Sequence, residues 1–324
     1  MKRREFFKWS VIGLSTMAAS FPAYANAETK KTWNCINNSN DTETIIFVPD
    51  LKESVSFLQI SDSHISCDDE SDTEYLPYSK RMGGGSVTKN RLDFFDKLLE
   101  KAKEKKVDFI ALTGDIINYP SATAVKTVSD RLKQSGIPFL YTAGNHDWHY
   151  EGMEGTEEEL RKKWIEKRLK PLYQGANPMC SSIQVKGINI VCIDNSTYQI
   201  DEHQLEFYKT QRSQPEPIVL LMHIPLYMFS LDIFSCGHPD WNEKTDPYYK
   251  IERRLPWPKE GCSDTTKQFV REVWATPKLL GVFAGHTHQA RTISVSSTNG
   301  IQHIAGPALN GQYRLIQIRH YKPQ

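Results

Sequence analysis

Neither sign of charge dominates this 324-residue chain: 40 Lys+Arg stand against 39 Asp+Glu, a formal charge of +1. The basic excess that usually marks a polyanion binder is missing, so no nucleic-acid partner is expected. None of the six cysteines forms a Cys-x-x-Cys pair, which argues against zinc ribbons and dithiol redox motifs. No apolar run reaches the roughly 20 residues a bilayer crossing needs, so no stable membrane insertion is expected. The sequence also lacks internal repeats and low-complexity tracts, and its composition excludes collagen, coiled coil and wholesale disorder. What is there is 39% hydrophobic and 11% aromatic residues, enough for a large packed core.

The first 27 residues stand apart. Lys2, Arg3, Arg4 and Lys8 precede an apolar stretch from Trp9 to about Ala19, and Ala25 and Ala27 make a small-x-small cleavage pattern. This is a signal peptide cleaved near Ala27, which leaves a mature chain with 36 basic and 38 acidic residues. Arg3-Arg4-Glu5-Phe6-Phe7-Lys8 resembles the twin-arginine export signal, which carries folded cargo; an ordinary secretory n-region is the alternative. Either route predicts a periplasmic or secreted location, with the export machinery as a partner. In an oxidising compartment Cys236 and Cys262 are candidates to staple one long loop, whereas Cys192 within an apolar run is expected to be a buried thiol.

Residues 28–53 read as a polar lead-in to a single domain over residues 54–324. Within that domain short apolar runs alternate with helical patterns, the mark of an α/β architecture. The runs are Val55–Ile60, Val107–Leu112, Ile137–Thr142, Ile188–Ile193, Ile218–Met222 and Leu279–Ala284. One helix places Leu92, Phe95, Leu99 and Ala102 on a face, and another Val125, Val128 and Leu132. Capping patterns start further helices at Thr156 and Asp201. Three strands follow near the C-terminus, with Asn299-Gly300 as a hairpin turn.

Five of the apolar runs end in chemistry-bearing residues: Ser61-Asp62-Ser63-His64, Gly114-Asp115, Gly144-Asn145-His146-Asp147, His223, and Gly285-His286-Thr287-His288. Ligands bind at the carboxyl ends of strands in α/β sheets. Glycines 114, 144 and 285 are expected to let the backbone turn sharply beneath the ligand. Oxygen and imidazole donors without thiolates suit two divalent ions such as manganese, iron or zinc. Two dications facing only two carboxylates leave a positive site that attracts phosphate.

In order and spacing these residues resemble the calcineurin-like metallophosphoesterase superfamily, over Ile60 to His288. The resemblance implies a sandwich of two mixed β-sheets flanked by helices, with a dinuclear metal site at the carboxyl ends of the strands. It implies that Asp62, His64 and His288 hold one metal, that Asn145, His223 and His286 hold the other, and that Asp115 bridges them. A metal-bridging hydroxide is then the nucleophile, and His146 assists at the phosphate or leaving group. Asp147 is expected to orient His146. Relatives with a purple iron centre carry a metal-binding tyrosine where Asn118 stands here, so a purple acid phosphatase is not expected.

Two segments lie outside the motifs. Ser66–Ser86, with Gly83-Gly84-Gly85, lacks the Lys-Ser/Thr ending of a phosphate-binding loop and is expected to be a flexible loop. Residues 225–263 leave directly from His223 and form a lid-like insertion, where Arg253, Arg254 and Trp257 are candidate contacts to a small-molecule phosphoester. The histidines at 149, 203, 238, 303 and 320 are expected in packing or at the surface. The function expected is metal-dependent phosphoester hydrolysis, leaning to phosphodiesters. A phosphomonoesterase acting on nucleotides or sugar phosphates and a non-catalytic phosphate-ligand binding protein are the alternatives, and a nuclease is disfavoured by charge and export.

Overall fold

The computed structural model describes residues 36–49, 51–68, 73–231, 233–251, 254–294 and 300–321. The expected signal peptide, residues 1–27, therefore lies outside the described residues. Among the described residues fourteen strands run in chain order: β1 (Ile36–Ser39), β2 (Glu43–Pro49), β3 (Val55–Ile60), β4 (Phe109–Thr113), β5 (Phe139–Thr142), β6 (Cys180–Val185), β7 (Ile188–Ile193), β8 (Ile218–Leu221), β9 (Lys250–Ile251), β10 (Leu255–Pro256), β11 (Leu279–Ala284), β12 (Arg291–Ser294), β13 (Ile301–Ile304) and β14 (Arg314–Tyr321).

One six-stranded sheet has the order β1-β2-β14-β3-β4-β5, the other β12-β13-β11-β8-β7-β6, and β9 and β10 form a separate two-stranded ribbon. Both large sheets are mixed. In the first, β3, β4 and β5 are parallel neighbours while β14 runs antiparallel to β3; in the second, β7, β8, β11 and β13 are parallel and β6 and β12 antiparallel. Parallel strands end on the same side, and this brings the motif loops together.

Between the sheets lies an apolar layer. Phe57, Phe109, Ala111 and Leu140 of the first sheet meet Ile190, Val219, Leu221 and Phe283 of the second. Phe57 stacks on Phe109 at 4.8 Å and meets Phe283 edge-on at 5.3 Å, so three rings lock the sheets together. The opposite faces, through Leu58, Ile60, Ile110, Leu112, Leu220 and Val282, join the apolar faces of the helices. Strands buried on both faces read as continuous apolar runs, which is why these runs were visible in the sequence.

Helices Thr88–Glu104 and Ala122–Ser135 serve the first sheet, with Phe95, Leu99, Ala102, Val125, Val128 and Leu132 buried. Helix Glu202–Ser213 packs on the second sheet and against helix Asp264–Trp274. Thr156 and Asp201 each close a complete capping box, with Glu159 and Gln204 respectively.

Three expectations need correction. From Ile36 to Pro49 the lead-in is a β-hairpin of the first sheet: β2 pairs with β14 and buries Ile46 and Val48. Its apolar run, Ile45-Ile46-Phe47-Val48, is short and follows the turn-forming residues 34–44, and that hid the strand. The segment after His64 is not simply a loop, since Leu76–Arg81 is helical and Gly84–Val87 is a 3₁₀ turn. Its glycines wrap Asp68, whose carboxylate accepts from Gly85 N at 3.0 Å and from the Tyr119 hydroxyl at 2.6 Å. Finally, Cys236 and Cys262 are separate thiols, lying 3.4 and 3.9 Å from the same Tyr198 carbonyl oxygen.

Candidate metal centre

Each sequence-predicted ligand follows a parallel strand: Asp62 and His64 after β3, Asp115 after β4, Asn145 after β5, His223 after β8, and His286 and His288 after β11. The structure brings them into adjoining clusters. Asp62, His64 and His288 form one potential cation site, Asp115, His223 and His286 form another, and His64, Asp115 and His146 form a third between them, while Asn145 lines the same cavity as His286. His288 Nε2 lies 3.4 Å from Asp62 Oδ1 and 3.0 Å from His64 Nε2. Asp115 Oδ2 stands between the clusters, 3.8 Å from His64 Nε2 and 3.3 Å from His223 Nε2.

The backbone here is strained. Asp62, His64, Asp115, His286 and His288 all have left-handed φ, between 45° and 70°. Such residues cost about 1–3 kcal/mol each and cluster where a fold holds a ligand site. The glycines permit the turns in two ways. Gly114 is itself left-handed, at φ 85°, and a Cβ there would strike the His223 ring. Gly144 and Gly285 have ordinary φ, which corrects the expectation of conformational freedom; a Cβ on Gly144 would strike Asp115, and one on Gly285 would strike Ser61 and Asp62.

Neighbouring polar groups aim the imidazoles. His223 Nδ1 donates to Thr113 O at 2.8 Å, which turns Nε2 toward Asp115. His64 Nδ1 lies 3.3 Å from Asn118 Oδ1, while its Nε2 faces His288. His286 turns the other way: Nδ1 faces His223 Nε2 at 3.3 Å and Nε2 is 2.6 Å from the Tyr198 hydroxyl. Oriented in this way, the rings point one nitrogen each into the site. Asn145 Oδ1 is buried with no hydrogen-bond partner, an orphaned acceptor that a cation would satisfy. The donor set of carboxylate, amide oxygen and imidazole fits divalent metals.

The electrostatics of the protein groups alone divide the imidazoles. Burial, with His146 beside it, depresses His64 to about 3, and burial with His223 does the same to His286, so both rings are neutral and able to bind metal at neutral pH. Burial alone would lower His223 too, but the adjacent Asp115 carboxylate raises it to about 9. Burial likewise opposes the Asp115 charge, yet His223 and His146 hold that carboxyl well below its usual range.

Residues 55–290 match the sequence profile of the calcineurin-like phosphoesterase family. The chain belongs to that family. It is similar to a protein of Psychrobacter arcticus described as a probable cyclic nucleotide phosphodiesterase: 32% identity over 95 residues, 29% of this chain and 31% of the relative. A second protein of that description, from Psychrobacter sp. strain PRwf-1, is 23% identical over 261 residues, 76% of this chain and 66% of the relative. The chain thus spans about a third and just under two thirds of these two proteins. In fold it resembles the crystal structure of a dimetal phosphatase from Danio rerio, with TM-score 0.50 and 13% identity over 81% of this chain and 91% of that one.

Within this phosphoesterase fold the His146 ring stands 4.5 Å edge-on from His64, and its Nδ1 lies 3.3 Å from Asn118 O. Asp147 is placed differently from the expectation that it orients His146. Its carboxylate accepts from the backbone N–H of Asp115 (2.9 Å), Gly144 (2.8 Å) and Ile117 (2.9 Å). It therefore stitches the β4 and β5 loops together, and burial with the Asp115 charge raises it to about 7.

The insertion walls a cavity of about 410 Å³ that opens beside Asn145 and His286. Trp257 lines it. Arg254 does not: its guanidinium donates to Met153 O at 3.3 Å. Arg253 lies outside the described residues. Sequence reasoning missed Tyr198, Lys250 and Arg291, which all line this cavity, because none stands in a motif. Of the other histidines, His303 is buried against Phe283 at 4.9 Å and His149 is buried beside Trp148; among the described residues none joins a metal cluster.

Proposed function

We propose that this protein hydrolyses phosphoesters with two divalent ions, and that its substrates are phosphodiesters. The observation that carries the reading is the convergence of Asp62, His64, Asp115, His223, His286 and His288, with Asp115 between the two clusters, His146 grouped with His64 and Asp115, and the unpartnered Asn145 Oδ1 buried beside the His286 cavity. Asp62, His64 and His288 would hold one ion, Asn145, His223 and His286 the other, and Asp115 both. Manganese, iron and zinc all suit this donor set.

Bound dications supply Lewis-acid polarisation of the phosphoryl group and a nucleophile available at neutral pH. The chain's own residues do the rest. His146, with Nδ1 held at Asn118 O, presents Nε2 as the atom that protonates the departing alkoxide. The Asp147 carboxylate keeps the loops carrying Asp115 and His146 in register. The diester preference is supported by the description of the two Psychrobacter relatives and by a cavity beside His286 able to take a second ester group.

Among the described residues no helix is long and apolar enough to cross a membrane. Independently of that, the basic n-region with Arg3-Arg4 and the Ala25-x-Ala27 pattern support export to the periplasm or beyond, by the twin-arginine route. Bis-nitrophenyl phosphate and nitrophenyl phosphate, offered side by side to stripped and metal-reloaded protein, test the substrate class. Faster metal-restored cleavage of the diester supports it, preference for the monoester moves the substrate to nucleotides and sugar phosphates, and no cleavage by any metal form leaves a binding protein.

A further inference from the structure

The cavity beside His286 has an unusual charge pattern. Lys250 comes from β9 in the insertion, and Arg291 opens β12 three residues after His288. These two segments, far apart in sequence, bring their cations to one space. Both residues are exposed, and among the described residues neither side chain makes an ion pair. One carboxylate stands among the lining residues, that of Asp246, and its oxygens already accept from Trp241 Nε1 (3.0 Å) and Tyr248 N (2.7 Å).

A phosphodiester carries one negative charge at neutral pH. Two bound dications facing Asp62 and Asp115 already exceed it, so the reacting phosphate gives no reason for two further cations next door. An additional anion on the substrate does. Tyr248 also lines the cavity; it is 74% exposed, and its ring centroid lies 5.9 Å from that of Phe234. Aromatic faces stack bases, while Lys and Arg bind phosphate as charge-assisted donors. The volume of about 410 Å³ lies in the range of small-molecule sites.

We infer that this cavity is a subsite for a second phosphate on a nucleotide-type phosphodiester, bound by Lys250 and Arg291, with Tyr248 against the base. The inference rests on the phosphodiesterase reading of the adjoining centre. It concerns a part of the substrate that does not react.

The test compares two diesters in the metal-loaded protein: thymidine 5′-(p-nitrophenyl phosphate), and the same compound carrying a 3′-phosphate. Both release nitrophenol, so one assay reads both. For the wild type the 3′-phosphate is expected to lower KM by roughly tenfold or more, the range of a charged hydrogen bond. Lys250→Ala and Arg291→Ala should each shrink that preference, the double variant should abolish it, and Lys250→Glu with Arg291→Glu should invert it. Unchanged melting temperatures confirm that the variants are folded. Equal KM for both diesters in the wild type, or a preference that survives the double variant, overturns the subsite while leaving the phosphodiesterase reading intact. Failure of the wild type to cleave either diester overturns that reading and the subsite with it.

Discussion

The Tyr198 hydroxyl lies 2.6 Å from His286 Nε2, on the side of the ring away from His223 and Asp115. Tyr198 is buried at φ 61°, stacks on Trp241 at 4.4 Å and meets Trp257 edge-on at 4.9 Å. One side chain thus ties the aromatic core of the insertion to a candidate metal ligand.

Removing that hydroxyl should loosen His286 without disturbing the stack. Tyr198→Phe is expected to weaken one metal site by about 10–100-fold and leave the other unchanged, as loss of an outer partner commonly does. Metal content after dialysis against graded chelator checks this. Two sites that both behave as in the wild type would mean that the hydrogen bond is idle.

Gly114→Ala forces a Cβ into the His223 ring and a left-handed turn onto a residue that disfavours it. A stability loss of about 1–3 kcal/mol from overpacking is expected, together with loss of metal bound through His223. Denaturant midpoints and metal analysis read both effects. A variant with wild-type stability and metal content would contradict the close packing seen here.

His146 stands with His64 and Asp115 in a third potential cation group, so its proposed role in proton transfer has to be separated from metal binding. His146→Ala should lower turnover by about 10²–10⁴-fold, the range for a lost general acid, with metal content retained. Substrates with better leaving groups should lose less. A uniform loss across leaving groups, or loss of metal, would give His146 another role.

His303 sets a pH dependence remote from the site. Burial, with the Arg314 charge adding to it, holds its folded-state pKa well below the usual value, and the ring packs among Thr44, Thr292 and Phe283. Below about pH 6.5 the unfolded chain takes up a proton that the folded chain refuses, so stability falls as pH drops through that region. Replacing His303 with Gln should flatten the slope of unfolding free energy against pH between about 5 and 6.5 by up to one proton. Parallel slopes in the two proteins would remove His303 as a cause.

The candidate ligands could be proposed from sequence because metal chemistry restricts residue types, and the fold was legible because strands buried on both faces, such as Ile188–Ile193 and Leu279–Ala284, write themselves as unbroken apolar runs. The hairpin of β1 and β2 went unread although Ile45-Ile46-Phe47-Val48 is itself an apolar run, because the run is short, follows the turn formers of 34–44 and pairs with β14 about 270 positions away. Asp147 was misjudged for a similar reason: its partners are backbone N–H groups of Asp115 and Ile117, about thirty positions away. Tyr198, Lys250 and Arg291 reach the site through tertiary packing alone. Side chains outside the ligand motifs leave no mark of that kind in one sequence.

The central claim is that seven residues hold two metals on which turnover depends. The most direct measurement strips the protein of metal, then follows bound manganese and hydrolysis of bis-nitrophenyl phosphate together as the metal is returned. The account predicts no activity in the stripped protein and a rise that saturates at about two ions per chain, with Asp115→Asn binding poorly and turning over little. Turnover that persists after stripping, or metal that binds without restoring it, would contradict the account.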